Sequence, residues 1–299
     1  MNEAEVRKIV SNSVFAGEVD SLLEGARTSV RMHTTQSALE NLAPGASRLG
    51  GLPDLPPDVY WPERKGSPLD FIAQIDLRDL GGLLPDFPPS GWLLFFFDAD
   101  DLNVGFRPES ADGWRVLWFD CEPKRLCRTE LPPRFPPKRS WLGKLLFGPA
   151  KPRPAYDACR LRFDENFRLR DEDEDFDRLD IIGNDRELAF ERLMEATGQW
   201  DDSVCHRLGG HPDTIQGPMQ LDCQLAANGL NIEKPESYKD PRVKELEAGK
   251  SDWELLLQID SDKNPGWMWG DAGRIYVWIR RQDLAARDFA KAWCMTQCF

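Results

Sequence analysis

Over residues 3–26 the apolar side chains fall at Val6, Ile9, Val10, Val14, Val19, Leu22 and Leu23, a spacing close to the helical turn that predicts one or two amphipathic helices. From Ser29 to Thr35 the pattern changes to alternation, with Val30, Met32 and Thr34 set against Arg31 and His33, as in a half-buried strand. Between Arg48 and Asp98 the apolar runs are short. Gly50-Gly51 and prolines at 53, 56, 57, 62, 85, 88 and 89 break them into brief strands joined by turns. Asn184 to Thr197 reads as a helix with Asn184 as cap, Glu187 as the capping-box acid and Gly198 as the stop. Two further helices are predicted, one from Pro241 to Ala248 and a last one starting near Gln282 that carries Leu284, Phe289, Ala292 and Trp293. Short strands flanked by helices predict an α+β fold with mixed or mostly antiparallel sheets rather than regular βαβ winding.

The same patterns recur. Arg48-Leu49-Gly50-Gly51-Leu52-Pro53-Asp54 returns as Arg207-Leu208-Gly209-Gly210-His211-Pro212-Asp213, 48 becoming 207, an offset of 159. Phe71-Ile72-Ala73-Gln74-Ile75-Asp76 matches Leu255-Leu256-Leu257-Gln258-Ile259-Asp260, with 74 becoming 258, an offset of 184. Gly91-Trp92-Leu93-Leu94-Phe95-Phe96-Phe97 faces Gly273-Arg274-Ile275-Tyr276-Val277-Trp278-Ile279, with 91 becoming 273, an offset of 182. Three matches in one order predict a β-rich core of two repeated halves related by a pseudo-twofold, because one such unit does not bury its apolar face alone. The expected organisation is a single domain: N-terminal helices and strand over 1–35, a first repeat over 36–123, a charged proline-rich insert over 124–180, and a second repeat with the C-terminal helix over 181–299.

A chain of 299 residues can bury roughly three quarters of its unfolded surface without covalent staples. Its seven cysteines, at 121, 127, 159, 205, 223, 294 and 298, are scattered and odd in number, which reads as reduced thiols in a cytoplasmic protein. The start carries no basic flank leading into an apolar run, and no stretch is long enough to span a bilayer. A net charge of −13 argues against nucleic acid and anionic lipid as partners. The charge is unevenly spread: residues 124–153 hold nine basic side chains and one acid, and residues 164–180 hold nine acids and three arginines. Such runs are usually solvated faces or attract one another. Within the basic run, Trp141-Leu142-Gly143-Lys144-Leu145-Leu146-Phe147 reads as a peptide that packs back on the domain, with docking a partner or touching a membrane as the alternatives.

Candidate chemistry gathers at the two Gln-Ile-Asp strands. Strict alternation places Phe71, Ala73 and Ile75 on one face and Ile72, Gln74 and Asp76 on the other, with Leu255, Leu257 and Ile259 opposite Leu256, Gln258 and Asp260 in the second copy. Under a pseudo-twofold the two Gln/Asp pairs become equivalent, and a cleft between the halves would be lined by Gln74, Asp76, Gln258, Asp260, Trp267 and Asp271. The competing reading is that each Gln and Asp ties down backbone amides at a strand end. Residues 260–271 place Asp260, Asp262, Asn264 and Asp271 where a calcium loop wants oxygen donors, but Pro265 stands where that loop needs glycine and a strand precedes it, which favours a plain hairpin turn. Cys205, His206, His211 and Cys223 lack zinc-site spacing, Cys294 and Cys298 are read as one face of the terminal helix, and neither a nucleophile elbow nor a phosphate loop is present. No cofactor is expected.

Leu49-Gly50-Gly51-x-Pro53, Trp61-Pro62, Phe71-x-x-Gln74-Ile75-Asp76, Leu255 to Asp262 and Trp269-Gly270-Asp271-x-Gly273 together resemble the YwqG-like family of uncharacterised bacterial proteins, over roughly residues 45–295. The resemblance implies a soluble cytoplasmic protein with a large β-rich core of two similar halves, and it brings no reaction or catalytic residue. It points faintly to toxin-associated systems. The function expected is a non-enzymatic protein-binding factor, in an immunity or regulatory role, whose acidic and aromatic surface meets a basic partner. The alternative is an enzyme or small-ligand or metal-binding protein using the cleft.

Overall fold

The computed structural model describes residues 1–133, 154–170, 184–200 and 203–299. The Trp141–Phe147 peptide, the basic stretch beyond residue 133, the acidic run over 171–180 and the side chain of Asn184 lie outside the described residues.

The strands, in chain order, are β1 (Arg27–Gln36), β2 (Arg48–Leu49), β3 (Asp54–Leu55), β4 (Glu63–Arg64), β5 (Ser67–Pro68), β6 (Asp70–Asp76), β7 (Trp92–Phe97), β8 (Trp114–Phe119), β9 (Cys127–Arg128), β10 (Cys159–Arg168), β11 (His206–Leu208), β12 (Trp253–Asp260), β13 (Arg274–Arg280) and β14 (Trp293–Gln297). Ten of them form one sheet in the order β14-β13-β12-β11-β1-β10-β2-β6-β7-β8. Every pairing in it is antiparallel. The sheet curls until its two ends meet: the indoles of Trp114 and Trp293 stack edge to face with centroids 5.0 Å apart, and Trp118 lies 6.2 Å from Phe289. Right-handed twist accumulated over ten strands brings the edges round, and a nearly closed sheet leaves little edge backbone to pair with another chain.

Six α-helices form among the described residues. They are α1 (Glu3–Ser11), α2 (Val19–Leu23), α3 (Asn184–Ala196), α4 (Gln220–Ala227), α5 (Val243–Leu246) and α6 (Arg281–Ala285). At the start of α1 the Asn2 carboxamide accepts from the Glu5 amide and the Glu5 carboxylate accepts from the Asn2 amide, a complete capping box. Helix α3 ends where glycine was expected to stop it. Gly198 takes φ 65°, its amide donates to Glu195 and the Gln199 amide reaches back to Met194, the paired bonds of a Schellman turn. Val6, Val10, Phe15 and Leu22 pack with Phe167, Phe190 and Leu193 in a satellite core under these helices.

The main core fills the inside of the curled sheet, drawing Leu49, Ala73, Ile75, Phe95 and Trp114 from one end and Leu208, Leu257, Ile259, Ile275 and Val277 from the other. A third cluster sits on the outer face of β6 and β7, where Trp61, Phe71, Trp92, Leu94 and Phe96 pack under the loops.

Three sequence expectations need correction. Alternation along β6 and β12 is not strict, because a bulge shifts the register between Phe71 and Ala73 and another between Leu255 and Leu257. Phe71 is thereby turned into the outer cluster while Ile72, Ala73 and Ile75 join the main core. The last helix stops at Ala285, Arg287 turns left-handed with φ 58°, and Trp293 to Gln297 form an edge strand on β13, so Cys294 lies in a strand rather than on a helix. Trp293, Cys294 and Met295 are buried in succession, which a surface helix cannot do and a strand covered on both faces can. Finally, the charged span contains β10, which pairs with β1 along ten residues at the middle of the sheet. Helix α4 had no clear periodic signal.

Candidate functional site

The two Arg-Leu-Gly-Gly-x-Pro-Asp segments build matching polar clamps. In the first, Arg48 is wholly buried and donates to Asp54 at 2.8 Å, Arg128 donates to the other oxygen of Asp54 at 2.6 Å, and the Asp54 amide donates to Gln74 Oε1 at 2.8 Å. In the second, Arg207 and Arg168 each donate to Asp213 at 2.6 Å, and the Asp213 amide donates to Gln258 Oε1 at 2.9 Å. Burial pushes both carboxyls up, but the facing guanidiniums outweigh it and hold Asp54 and Asp213 below the usual carboxylate range. The double glycine supplies the turn. Gly209 and Gly210 have φ 62° and 68°, and a Cβ on Gly210 would come within 2.5 Å of Ser29 Cβ.

Gln74 and Gln258 are thus spent. Their Nε2 groups donate to Ala46 O and Asp54 in one clamp and to Cys205 O and Asp213 in the other. Four strands stand between β6 and β12, so the two glutamines serve separate clamps instead of meeting in one cleft. Asp76 accepts from the Arg78 amide and guanidinium. Asp260 accepts from the Cys205 amide at 2.9 Å and pairs with Arg274 at 3.3 Å.

Residues 260–271 form a hairpin. Asp262 and Trp267 exchange backbone bonds, and Trp267 Nε1 donates back to Asp260 O at 2.9 Å. The Asp262 carboxylate faces Thr34 Oγ1 at 2.7 Å, His206 Nε2 at 3.1 Å and the Asn264 amide at 2.8 Å. Because His206 Nδ1 accepts from the Asp260 amide, Nε2 carries the proton. Asn264 turns its amide to Thr34, and Asp271 is exposed. The four proposed calcium donors are therefore not brought round one point. Among the described residues no three His, Cys, Asp or Glu side chains gather as a metal site. The seven cysteines are free, and Cys159, pushed up to about 12 by burial and then by Asp262 and Asp157, is no thiolate nucleophile.

The outer face differs between the two ends of the sheet. In the first, Phe96 is closed over by Trp61, edge-on at 5.6 Å, and by Phe71 at 5.4 Å. At the corresponding place in the second, Trp278 and Leu255 border a cavity of about 270 Å³ with Arg27, Arg170, His211, Lys250 and Glu254 around it. A neighbouring cavity of about 380 Å³ shares Arg27, Gly210, Glu254 and Leu255 and adds Asp86 and Arg281. Glu254 lies between two guanidiniums, pairing with Arg27 and, at 2.8 Å, with Arg281. Burial, then the like charges of Arg281 and Arg170, lower Arg27 from the ordinary arginine value. His211, its Nε2 at 2.8 Å from Gly25 O, is driven down to about 4, by burial first and then by Arg27, Arg168 and Arg170.

None of these cavity residues was singled out from the sequence for this place, although a signal was there. Within the repeated heptad Leu52 is replaced by His211, and within the third match Phe96 is replaced by Trp278.

Residues 47–298 match the family model described as a domain of unknown function (DUF1963). The chain belongs to this family. A search of curated proteins found no match. The matched region covers both clamps and both bulged strands and leaves α1, α2 and β1 ahead of it, so that Arg27, which lines the cavity, lies outside the match. None of the described helices is long and apolar enough to cross a membrane.

Proposed function

We propose that this chain is a cytoplasmic, non-enzymatic binding protein of the YwqG-like kind, a duplication in which one copy has been filled and the other keeps a ligand cavity against Trp278. The duplication is supported by register. Arg48 stands opposite Gln74 as Arg207 stands opposite Gln258, and the bulges fall at matching places in β6 and β12. Val30 faces Leu208 as Cys159 faces Leu49, which makes β1 and β10 the corresponding first strands, each paired with the other copy's Arg-Leu strand. On this reading the halves are interlocked through β1 and β10 and fold as one domain.

The observation that carries the binding role is the cavity of about 270 Å³ that Trp278 and Leu255 help to line, where the matching Phe96 is closed over by Trp61 and Phe71. Pockets of this size suit small molecules, and a binding role is supported by polar groups converging on an apolar floor. The test is native mass spectrometry of the protein gently purified from its own host, beside Leu255→Phe, which puts the bulk of Phe71 into the cavity. A small-molecule mass carried by the wild type and lost from the folded variant is the expected result. A mass retained by the variant, or a wild type that carries none, overturns the reading. A second reading, a basic protein partner, rests on the net charge of −13 and would show in the same spectrum as a salt-labile protein adduct.

A further inference from the structure

We infer that the groove between α1 and α3 is a docking site for a partner helix whose apolar stripe is flanked by acids. The groove lies apart from the cavity at Trp278, and the inference does not depend on the ligand reading above.

Both helices carry apolar positions beyond those that their own core covers. Val6 and Val10 of α1 and Phe190, Leu193 and Met194 of α3 are buried in the satellite core. A second set, Ile9 on α1 with Ala189 and Ala196 on α3, borders a groove of about 990 Å³, and Val14, just past the end of α1, stands at its side 70% exposed. An apolar depression rimmed by polar side chains marks an interaction site, and the line between two packed helices takes the ridge of a third. A helix laid in such a groove buries side chains at i, i+3, i+4 and i+7.

The rim selects the partner's sign. The charged side chains lining the groove are Glu5, Lys8 and Arg192. The Glu5 carboxylate is held by the Asn2 amide at 2.9 Å in the capping box of α1. Neighbouring cations on the two helices are answered within the fold, Arg7 by Glu3 and Asp20, and Arg186 by Glu18. Lys8 and Arg192, one on each wall and both exposed, form no ion pair among the described residues. Glu191 and Glu195 of α3 line no part of the groove. On a chain with a net charge of −13 this is a local surplus of positive charge beside apolar surface. A helix with Asp or Glu beside its apolar stripe answers both features. A basic helix would face Lys8 and Arg192 with like charge, and so would the same patch on a second copy of this chain.

The experiment follows, by fluorescence anisotropy, two labelled peptides of about 18 residues binding to the full chain, a length that can hold a helix once docked. Both carry leucine at helical spacing along one face; one has glutamate beside that stripe and the other lysine. The glutamate peptide should bind with a Kd of about 10 μM and the lysine peptide about tenfold more weakly. Lys8→Glu combined with Arg192→Glu should reverse that order. Val14→Asp and Ala196→Glu, at exposed positions that the fold should tolerate, should each weaken the glutamate peptide about tenfold. Equal affinity for the two peptides, binding of neither, or a preference that the charge reversal leaves unchanged overturns the inference. Sedimentation of the chain alone tests the other occupant: a monomer is expected, and a dimer that Val14→Asp splits would assign the groove to a second copy and overturn the acidic partner.

Discussion

Trp114 and Trp293 stack edge to face 5.0 Å apart across the two ends of one ten-stranded sheet. Each also donates from its indole nitrogen to backbone of the opposite end, Trp114 to Ala292 O and Trp293 to Gly105 O, both at 2.9 Å. This contact holds the curl closed. Trp293→Ala should cost about 3–5 kcal/mol by urea denaturation, the usual range for a buried tryptophan. Trp114→Ala should be similar, and the double variant should fall short of the sum by about 0.5–1.5 kcal/mol, since the second truncation has no partner ring left to lose. Strict additivity would show that the two edges are held independently.

The clamps make the fold sensitive to acid. Asp213 sits between Arg168 and Arg207, and its folded pKa is depressed below the unfolded value of about 3.9. A depressed carboxyl contributes stability that is fully present above the unfolded pKa and is lost as pH falls through the folded one, so this contribution starts to decline near pH 4 and keeps falling below it. Asp213→Asn leaves Arg207 buried and unpaired and should destabilise by about 3–5 kcal/mol at pH 7, with a shallower acid limb. Guanidine melts from pH 7 to pH 2.5 would check this. An unchanged acid limb would remove Asp213 from the account.

His211 gives a second, higher window. Its folded pKa of about 4 lies below the unfolded value of about 6.5, so the unfolded chain binds the extra proton between these limits and stability rises with pH across them. The effect should amount to about 1–3 kcal/mol, the lower figure allowing for partial exposure of the ring. His211→Gln should flatten the stability curve between pH 4 and pH 6.5 relative to wild type. A wild-type imidazole that titrates near 6.5 by NMR would refute it.

What the sequence made legible follows from how locally each feature is determined. The repeated heptad and the Gln-Ile-Asp strands were readable because turn glycines, a buried Arg-Asp pair and paired apolar strands each need particular residues at fixed spacing. The bulges at Phe71/Ala73 and Leu255/Leu257 were not, since an extra residue in a ladder leaves no compositional trace in an all-apolar run. β10 was hidden by its own charges: Arg160 and Arg162 point to solvent, while Phe167 is buried in the helical cluster and Arg168 in a clamp. The terminal strand was mistaken for helix because Leu284, Phe289, Ala292 and Trp293 have helical spacing by coincidence of three separate elements, a helix, a 3-10 turn capped by Ala292 and a strand. The candidate cleft failed to assemble because Gln74 and Gln258 satisfy the Asp54 and Asp213 amides, long-range bonds that no local pattern announces.

The 260–271 hairpin separates a structural carboxylate from an ion ligand. Asp262 is buried against Thr34 and His206, joining the hairpin to β1 and β11, whereas Asp271 is exposed. Asp262→Ala should therefore destabilise by about 1–3 kcal/mol, because it strands the His206 donor and frees the Asn264 turn. Asp271→Ala should stay within about 0.5 kcal/mol of wild type, as surface substitutions do. Calcium in millimolar excess should leave all three melting temperatures unmoved, since a site would need Asp262 to give up three hydrogen bonds before it could bind. A calcium-dependent rise in wild type that vanishes in both variants would mean that the hairpin rearranges to hold the ion, and that the His206–Asp262 contact is the apo state of a metal loop.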